Sequence, residues 1–215
     1  VRAAAGEHLL NAGTEPLARE DLHEFFRDAL ETAVHQDGIP VLFEDEEQDL
    51  GSVTDQGLRM LDAFVEKVPV PEQVTAIEAA FSLELAHPIT GEILPVPLIG
   101  AIDALVVEAG KPAVWELKTA KKRWSVDQIE LDVQPTAYRM GARQLGCPDA
   151  DLKLLVTTKT KKPDVQIEKL VRTRVDEREL AELAFTVHRA IEAGIDYRNR
   201  GWQCRSCPFA AACAA

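Results

Sequence analysis

Asp103, Glu116 and Lys118 are the residues of this chain whose types and spacing could do chemistry. In AVWELKTAKKRW, residues 113–124, Glu116 and Lys118 stand two apart with Ala113, Val114, Trp115 and Leu117 around them. In a strand that spacing points both side chains to one face. Burying either ion unpaired is expensive, so the pair is either a salt bridge at a strand end or part of an active site. Asp103 lies about a dozen residues upstream, in LIGAIDALVV, an acidic side chain among apolar ones. A short turn at Gly110 separates the two segments, so the carboxylates can face each other across a hairpin. Two carboxylates so placed repel and call for a cation. Hard divalent ions such as Mg²⁺ take oxygen ligands of this kind. Lys118 can then stabilise negative charge on an attacking hydroxide or a scissile phosphate.

The elements that must position these residues are readable from hydrophobic period. Residues 1–67 are predicted helical, with Leu22, Phe25, Phe26, Ala29 and Leu30 at three-and-four spacing and a second such stretch in GLRMLDAFVEKV. Pro69 and Pro71 break that pattern. From Val74 the period changes to alternation, giving strands in VTAIEAAFSLEL, VPLIGAIDALVVEA and the segment carrying Glu116, three in a row as an antiparallel meander. LDVQPTAYRMGARQLG reads as a helix starting close to Val133, with Asp132 as N-cap and Pro135 tolerated in the first turn. DLKLLVTTK and DVQIEKLVRTR are two further strands, and DERELAELAFTVHRAIEAG is a closing amphipathic helix. This order predicts an α/β fold with a mixed central sheet flanked by helices.

Composition bounds the function. The chain has 215 residues, 46% hydrophobic and 28% charged, as in an ordinary soluble globule. No apolar run is long enough to cross a bilayer and no secretory signal pattern opens the chain, so an intracellular, cytoplasmic protein without a membrane partner is expected. It begins VRAAAGEHLL, without an initiator Met and within a helical pattern, and an upstream segment is therefore expected. A net charge of −12 argues against a nucleic-acid partner, but the acidity is confined to the first half. Residues 1–110 hold 5 Lys and Arg against 22 Asp and Glu, whereas residues 111–170 hold 12 against 8. The segment that starts at the Glu-x-Lys strand is locally basic, either as a solvated face or as a strip beside an acidic, metal-binding pocket.

Two further motifs carry chemistry. QPTAY sets Gln134 and Tyr138 four apart, on one face of a helix and near its positive end, either as a site element or as a buried Tyr with a hydrogen-bonded Gln. GWQCRSCPFAAAC gives Cys204, Cys207 and Cys213 in a C-x2-C-x5-C spacing, which in an intracellular protein favours a metal over disulfides. Thiolates select zinc or an iron–sulfur cluster, and from the spacing alone zinc is the commoner choice.

Asp103 followed by Glu116-x-Lys118 across a hairpin resembles the core motif of the PD-(D/E)xK nucleases. Gln134-x3-Tyr138 resembles the Q-x3-Y motif of the RecB-like branch, which includes exonuclease domains of recombination helicase-nucleases and nucleases of CRISPR adaptation. The resemblance implies a restriction-endonuclease-like core over residues 73–200, an N-terminal helical region over 1–72 packed on it, and a cysteine segment over 201–215. It implies a DNA exonuclease or endonuclease of recombination, repair or phage replication, working with a helicase or recombination protein. Asp103, Glu116 and the Leu117 backbone carbonyl would hold Mg²⁺ or Mn²⁺, Lys118 would assist the nucleophile, and Gln134 and Tyr138 would orient the site. Lys121, Lys122 and Arg123, directly after the motif, could track phosphates or form a solvated loop. The three C-terminal cysteines would hold a 4Fe–4S cluster with a fourth from the N-terminal side.

Two departures stand out. No cysteine precedes Cys147, so the family's N-terminal ligand either lies upstream of Val1 or is absent; Cys147 itself reads as a buried thiol. Where the family offers a His or Glu from its first helix as a metal ligand, this chain has Arg2, with Glu7 and His8 as nearby alternatives. The rival readings are a catalytically inactive nuclease-fold module that binds DNA or acts as a scaffold, and an iron–sulfur or zinc protein whose carboxylates are structural.

Overall fold

A computed structural model describes residues 1–12, 17–35, 43, 48–195, 200–201, 204–205, 207 and 209–214. Its helices are α1 (Arg2–Ala12), α2 (Arg19–His35), α3 (Leu50–Lys67), α4 (Val126–Glu130), α5 (Gln134–Gln144), α6 (Arg174–Glu192) and α7 (Ala210–Ala214). Its strands are β1 (Gln73–Leu83), β2 (Leu98–Glu108), β3 (Lys111–Ala120), β4 (Asp151–Thr158) and β5 (Val165–Leu170), in sheet order β1-β2-β3-β4-β5. The meander β1-β2-β3 is antiparallel, β3 and β4 are parallel, and β4-β5 is antiparallel. The expected mixed sheet flanked by helices is thus the fold.

β3 is the central strand, and its run Ala113, Val114, Trp115 and Glu116 is buried, as a strand covered on both faces requires. One face packs Trp115 and Leu155 against Ala5 and Leu9 of α1 and Phe64 of α3. The other packs Val114, Leu105 and Leu154 against Tyr138 and Ala142 of α5. α3 is fixed at its start by a reciprocal cap, Asp49 Oδ1 accepting from the Ser52 amide at 2.7 Å and Ser52 Oγ from the Asp49 amide at 3.0 Å.

Two glycines decide the geometry around the carboxylates. Ala109 and Gly110 both have positive φ, 49° and 71°, between the paired residues Glu108 and Lys111. A two-residue turn of that kind matches the strand twist and fixes the β2–β3 register. At Gly141 a Cβ would stand 2.6 Å from Phe81 Cδ1, so the missing side chain lets α5 lie directly on β1. Parallel strands need a crossover, and here it is α4 with α5, which carries Gln134 and Tyr138 back over the sheet.

Two details differ from the sequence expectation. SVDQIE forms the short helix α4, capped reciprocally by Ser125 and Gln128, in a polar segment with no apolar period to reveal it. The N-cap of α5 is Val133; Asp132 stands one residue earlier and accepts from the Gln134 amide at 3.1 Å. Among the described residues no helix is long and apolar enough to cross a membrane.

Candidate active site

The β2–β3 ladder runs from Glu108–Lys111 to Ala104–Trp115 and stops there. Asp103 and Glu116 are the next residues on each strand, at the point where the strands part. The reason is local: the Asp103 carboxylate takes the place of a backbone acceptor, its Oδ2 accepting from the Leu117 amide at 2.7 Å. Both carboxylates are buried, Asp103 at 3% and Glu116 at 1% exposure.

The predicted residues are joined in one directional chain of hydrogen bonds. Lys118 Nζ donates to Gln134 Oε1, Gln134 Nε2 donates to the Tyr138 hydroxyl at 2.6 Å, and that hydroxyl donates to Asp103 Oδ1 at 3.3 Å. Lys118 Nζ also lies 2.7 Å from Glu116 Oε1, an ion pair, while Glu116 Oε2 is buried with no hydrogen-bond partner among the described residues. Trp124 stands beside this ammonium, with Nζ 5.8 Å from its ring centre.

Electrostatics follow from burial. Burial pushes the Glu116 carboxyl up to about 7, against the pull of Lys118 and with added repulsion from Asp132 and Asp103. Burial also raises the Asp103 carboxyl, opposed by the Leu117 amide, Arg2, Tyr138 and Lys118. The Tyr138 hydroxyl is held above its ordinary value by burial and by the neighbouring Asp103 charge, so it stays a donor.

Arg2 changes the expected charge balance. Its Nη1 lies 3.2 Å from Asp103 Oδ1 and its Nε 3.1 Å from Glu78 Oε1. The carboxylate pair is therefore neutralised by side chains, Asp103 by Arg2 and Glu116 by Lys118, where the sequence reading expected it to lack a partner. Glu7 and His8 take no part: Glu7 accepts from Asn11 at 2.9 Å, and His8 is buried with its imidazole held below its usual value by that burial.

Two acidic residues at the site escaped the sequence reading. The β1–β2 register pairs Ile77 with Ala104 and Ala79 with Ile102, which sets Glu78 opposite Asp103, at a strained positive φ of 50°. In sequence it was only one more polar position in an alternating strand. Asp132 was assigned as a helix cap. Its Oδ2 is buried without a hydrogen-bond partner, and its charge is felt at Glu116.

The donor set suits a hard divalent cation. Glu116 Oε1 faces the Lys118 ammonium and Oε2 is buried with no partner among the described residues, next to a second buried carboxylate, and one or two carboxylates are what Mg²⁺ takes from a protein. Among the described residues no three His, Cys, Asp or Glu side chains come together as a metal-binding group. That holds for Cys204, Cys207 and Cys213, none of which is in a disulfide, the first and last exposed. Cys147 is also free and packs partly buried against the α5 side of the core. Lys121, Lys122 and Arg123 are exposed just beyond the end of β3.

The fold is shared with a "putative exonuclease" from Eubacterium rectale, 15% identical, at a TM-score of 0.54 over 93% of this chain and 75% of that one. The structure of SSO0001 aligns with a TM-score of 0.45 at 13% identity, over 98% of this chain and 94% of the other. No curated protein matches in sequence. The family model of the PD-(D/E)XK nuclease superfamily matches residues 4–214, nearly the whole chain, and the protein belongs to that superfamily.

Proposed function

We propose that the protein is a Mg²⁺- or Mn²⁺-dependent deoxyribonuclease of the RecB-like type, acting as an exonuclease in recombination, repair or phage replication. The observation that carries the reading is Glu116, a fully buried carboxylate that meets the Lys118 ammonium on one oxygen and has no partner on the other, beside a second buried carboxylate at the fork of two strands. Burying two carboxylates side by side is costly even with Lys118 and Arg2 nearby, and a bound divalent cation offsets that cost. Asp103, Glu116 and the Leu117 carbonyl would hold the ion, which when bound supplies Lewis-acid stabilisation of charge on the phosphate. Lys118, beside Glu116, would stabilise negative charge on the attacking oxygen or the scissile phosphate. Gln134 and Tyr138 act through the relay, holding the ammonium at one end and Asp103 at the other.

Arg2 favours a second reading, a nuclease-fold module that binds DNA without cleaving it, because a guanidinium already satisfies Asp103. The two are separated by incubating the protein with labelled single- and double-stranded DNA, with Mg²⁺ or Mn²⁺ and with EDTA. Cleavage that requires the ion supports the nuclease; binding without cleavage supports the module.

An iron–sulfur cluster at Cys204, Cys207 and Cys213 is supported by their spacing. They are one short of the four ligands a 4Fe–4S cluster takes and are not gathered in this structure, so no step of the reaction runs through a cluster.

A further inference from the structure

The basic segment noted in the sequence is not one loop but two, and the parallel pairing of β3 and β4 brings them together. Both strands end at the same height: Ala120 pairs with Thr158, and the Lys159 amide donates to the Ala120 carbonyl at 2.7 Å. Lys121, Lys122 and Arg123 therefore leave the sheet next to Lys159, Lys161 and Lys162, and all six are exposed. Adjacent strands are about 5 Å apart, so the two runs of cations lie side by side.

The two loops are built as one surface. Gln166 of β5 clamps Trp124, its Oε1 accepting from the Trp124 amide at 2.8 Å and its Nε2 donating to the Trp124 carbonyl at 3.1 Å. Asp164 closes the second loop on itself, its amide donating to Thr158 Oγ1 at 2.9 Å and its carbonyl accepting from the Thr158 amide at 2.9 Å. The same residue's carboxylate binds Arg123 at 3.2 Å and Lys67 at 2.5 Å. It holds the first loop, the second loop and the end of α3 together. Among the described residues Lys122, Lys159, Lys161 and Lys162 form no ion pair. Cations gathered on one edge of a protein of net charge −12 make a local positive field that draws a polyanion to that edge. The edge adjoins the site: Trp124, which follows Arg123 in the chain, lies with its ring centre 5.8 Å from the Lys118 ammonium.

We propose that the β3–α4 and β4–β5 loops together form a phosphate-binding ledge that holds the backbone of the DNA strand entering the Asp103–Glu116 site, with Lys159, Lys161 and Lys162 as contacts in addition to Lys121, Lys122 and Arg123. The ledge rests on the nuclease reading for its substrate but makes a separate demand, since backbone contacts position a strand and do no chemistry.

The test is binding of a fluorescein-labelled thymidine oligonucleotide by the whole chain in EDTA, followed by anisotropy across a salt series. The combined variant Lys159→Ala, Lys161→Ala, Lys162→Ala should lose about tenfold or more in affinity, and its slope of log K against log salt should shrink by about 2, the loss of three single-strand phosphate contacts. A control with the same change in net charge, Lys111→Ala, Lys169→Ala, Arg178→Ala, removes exposed cations elsewhere and should bind as the unaltered protein does. Cleavage of the p-nitrophenyl ester of thymidine monophosphate, too short to reach the ledge, should be equal in all three proteins. Unchanged affinity and slope in the loop variant, or equal losses in the control, overturn the ledge. Failure of every protein to cleave either substrate with Mn²⁺, while the slopes differ as expected, overturns the nuclease reading and leaves the ledge standing.

Discussion

Glu116 is held in the folded chain at a cost that the bound ion would remove. Its carboxyl binds a proton more tightly folded, at about 7, than its ordinary value of 4.5. Between those values the folded state carries the extra proton, so this group's contribution is full below pH 4.5 and is lost as pH rises through 7. The loss is about 3 kcal/mol. His8, held low by burial, acts with the opposite sign in the same window, so the Glu116 part is read as a difference. Glu116→Gln should raise the ion-free melting temperature by roughly 5–10 °C at pH 8 and by little at pH 5. A gain independent of pH would mean that Glu116 is not strained by its burial. At the same scale, Arg2 competes with any cation for Asp103. Arg2→Ala should tighten Mn²⁺ binding about tenfold, the effect of removing one nearby like charge. Mn²⁺ spin resonance reads this without activity, and weaker binding would show that Arg2 helps to hold the site.

At the scale of elements, the site depends on how closely α5 approaches β1. Phe81 is pinned between Gly100 and Gly141 and meets Tyr138 edge-on, ring centres 6.2 Å apart. Gly141→Ala gains about 1 kcal/mol of helix propensity but drives a methyl into that ring, a cost of about 1–3 kcal/mol. The clash wins because a buried Phe between two close backbones has nowhere to go. Cleavage should fall together with stability, and adding Phe81→Leu should recover both; no recovery would place the fault elsewhere. The strands, the meander and the helix carrying Gln134 were legible because period and turn chemistry are local. So were the four residues of the relay and Glu116 beside it, since a hairpin and a four-residue helical step fix which side chains can meet. Glu78 and Arg2 were not legible as a pair, because register across β1–β2 and the path of α1 arise only from packing. Lys159, Lys161 and Lys162 were overlooked for the same reason. Their nearness to Lys121 depends on β3 and β4 being parallel neighbours, which no single segment encodes.

For the whole molecule, charge and the termini are at issue. The first 110 residues carry most of the acidity, and the cations sit at one end of the sheet, an asymmetry that orients a polyanion toward the site. The cysteine segment would tie the C-terminal end back to the N-terminal helices if it holds a cluster. Anaerobically purified protein should then be brown, contain about four iron atoms per chain, and lose stability when Cys207→Ser is introduced. Colourless protein with one zinc would replace the cluster by a structural zinc site and leave the carboxylate centre untouched. That centre is tested most directly by single-turnover cleavage of end-labelled DNA at saturating Mn²⁺, comparing the unaltered chain with Asp103→Asn and Glu116→Gln. Each variant should remain folded and lose at least about a thousandfold in rate, as removal of one preorganised electrostatic group from an active site does. Retention of metal-dependent cleavage within tenfold by either variant would contradict the assignment of Asp103 and Glu116 as one hydrolytic site.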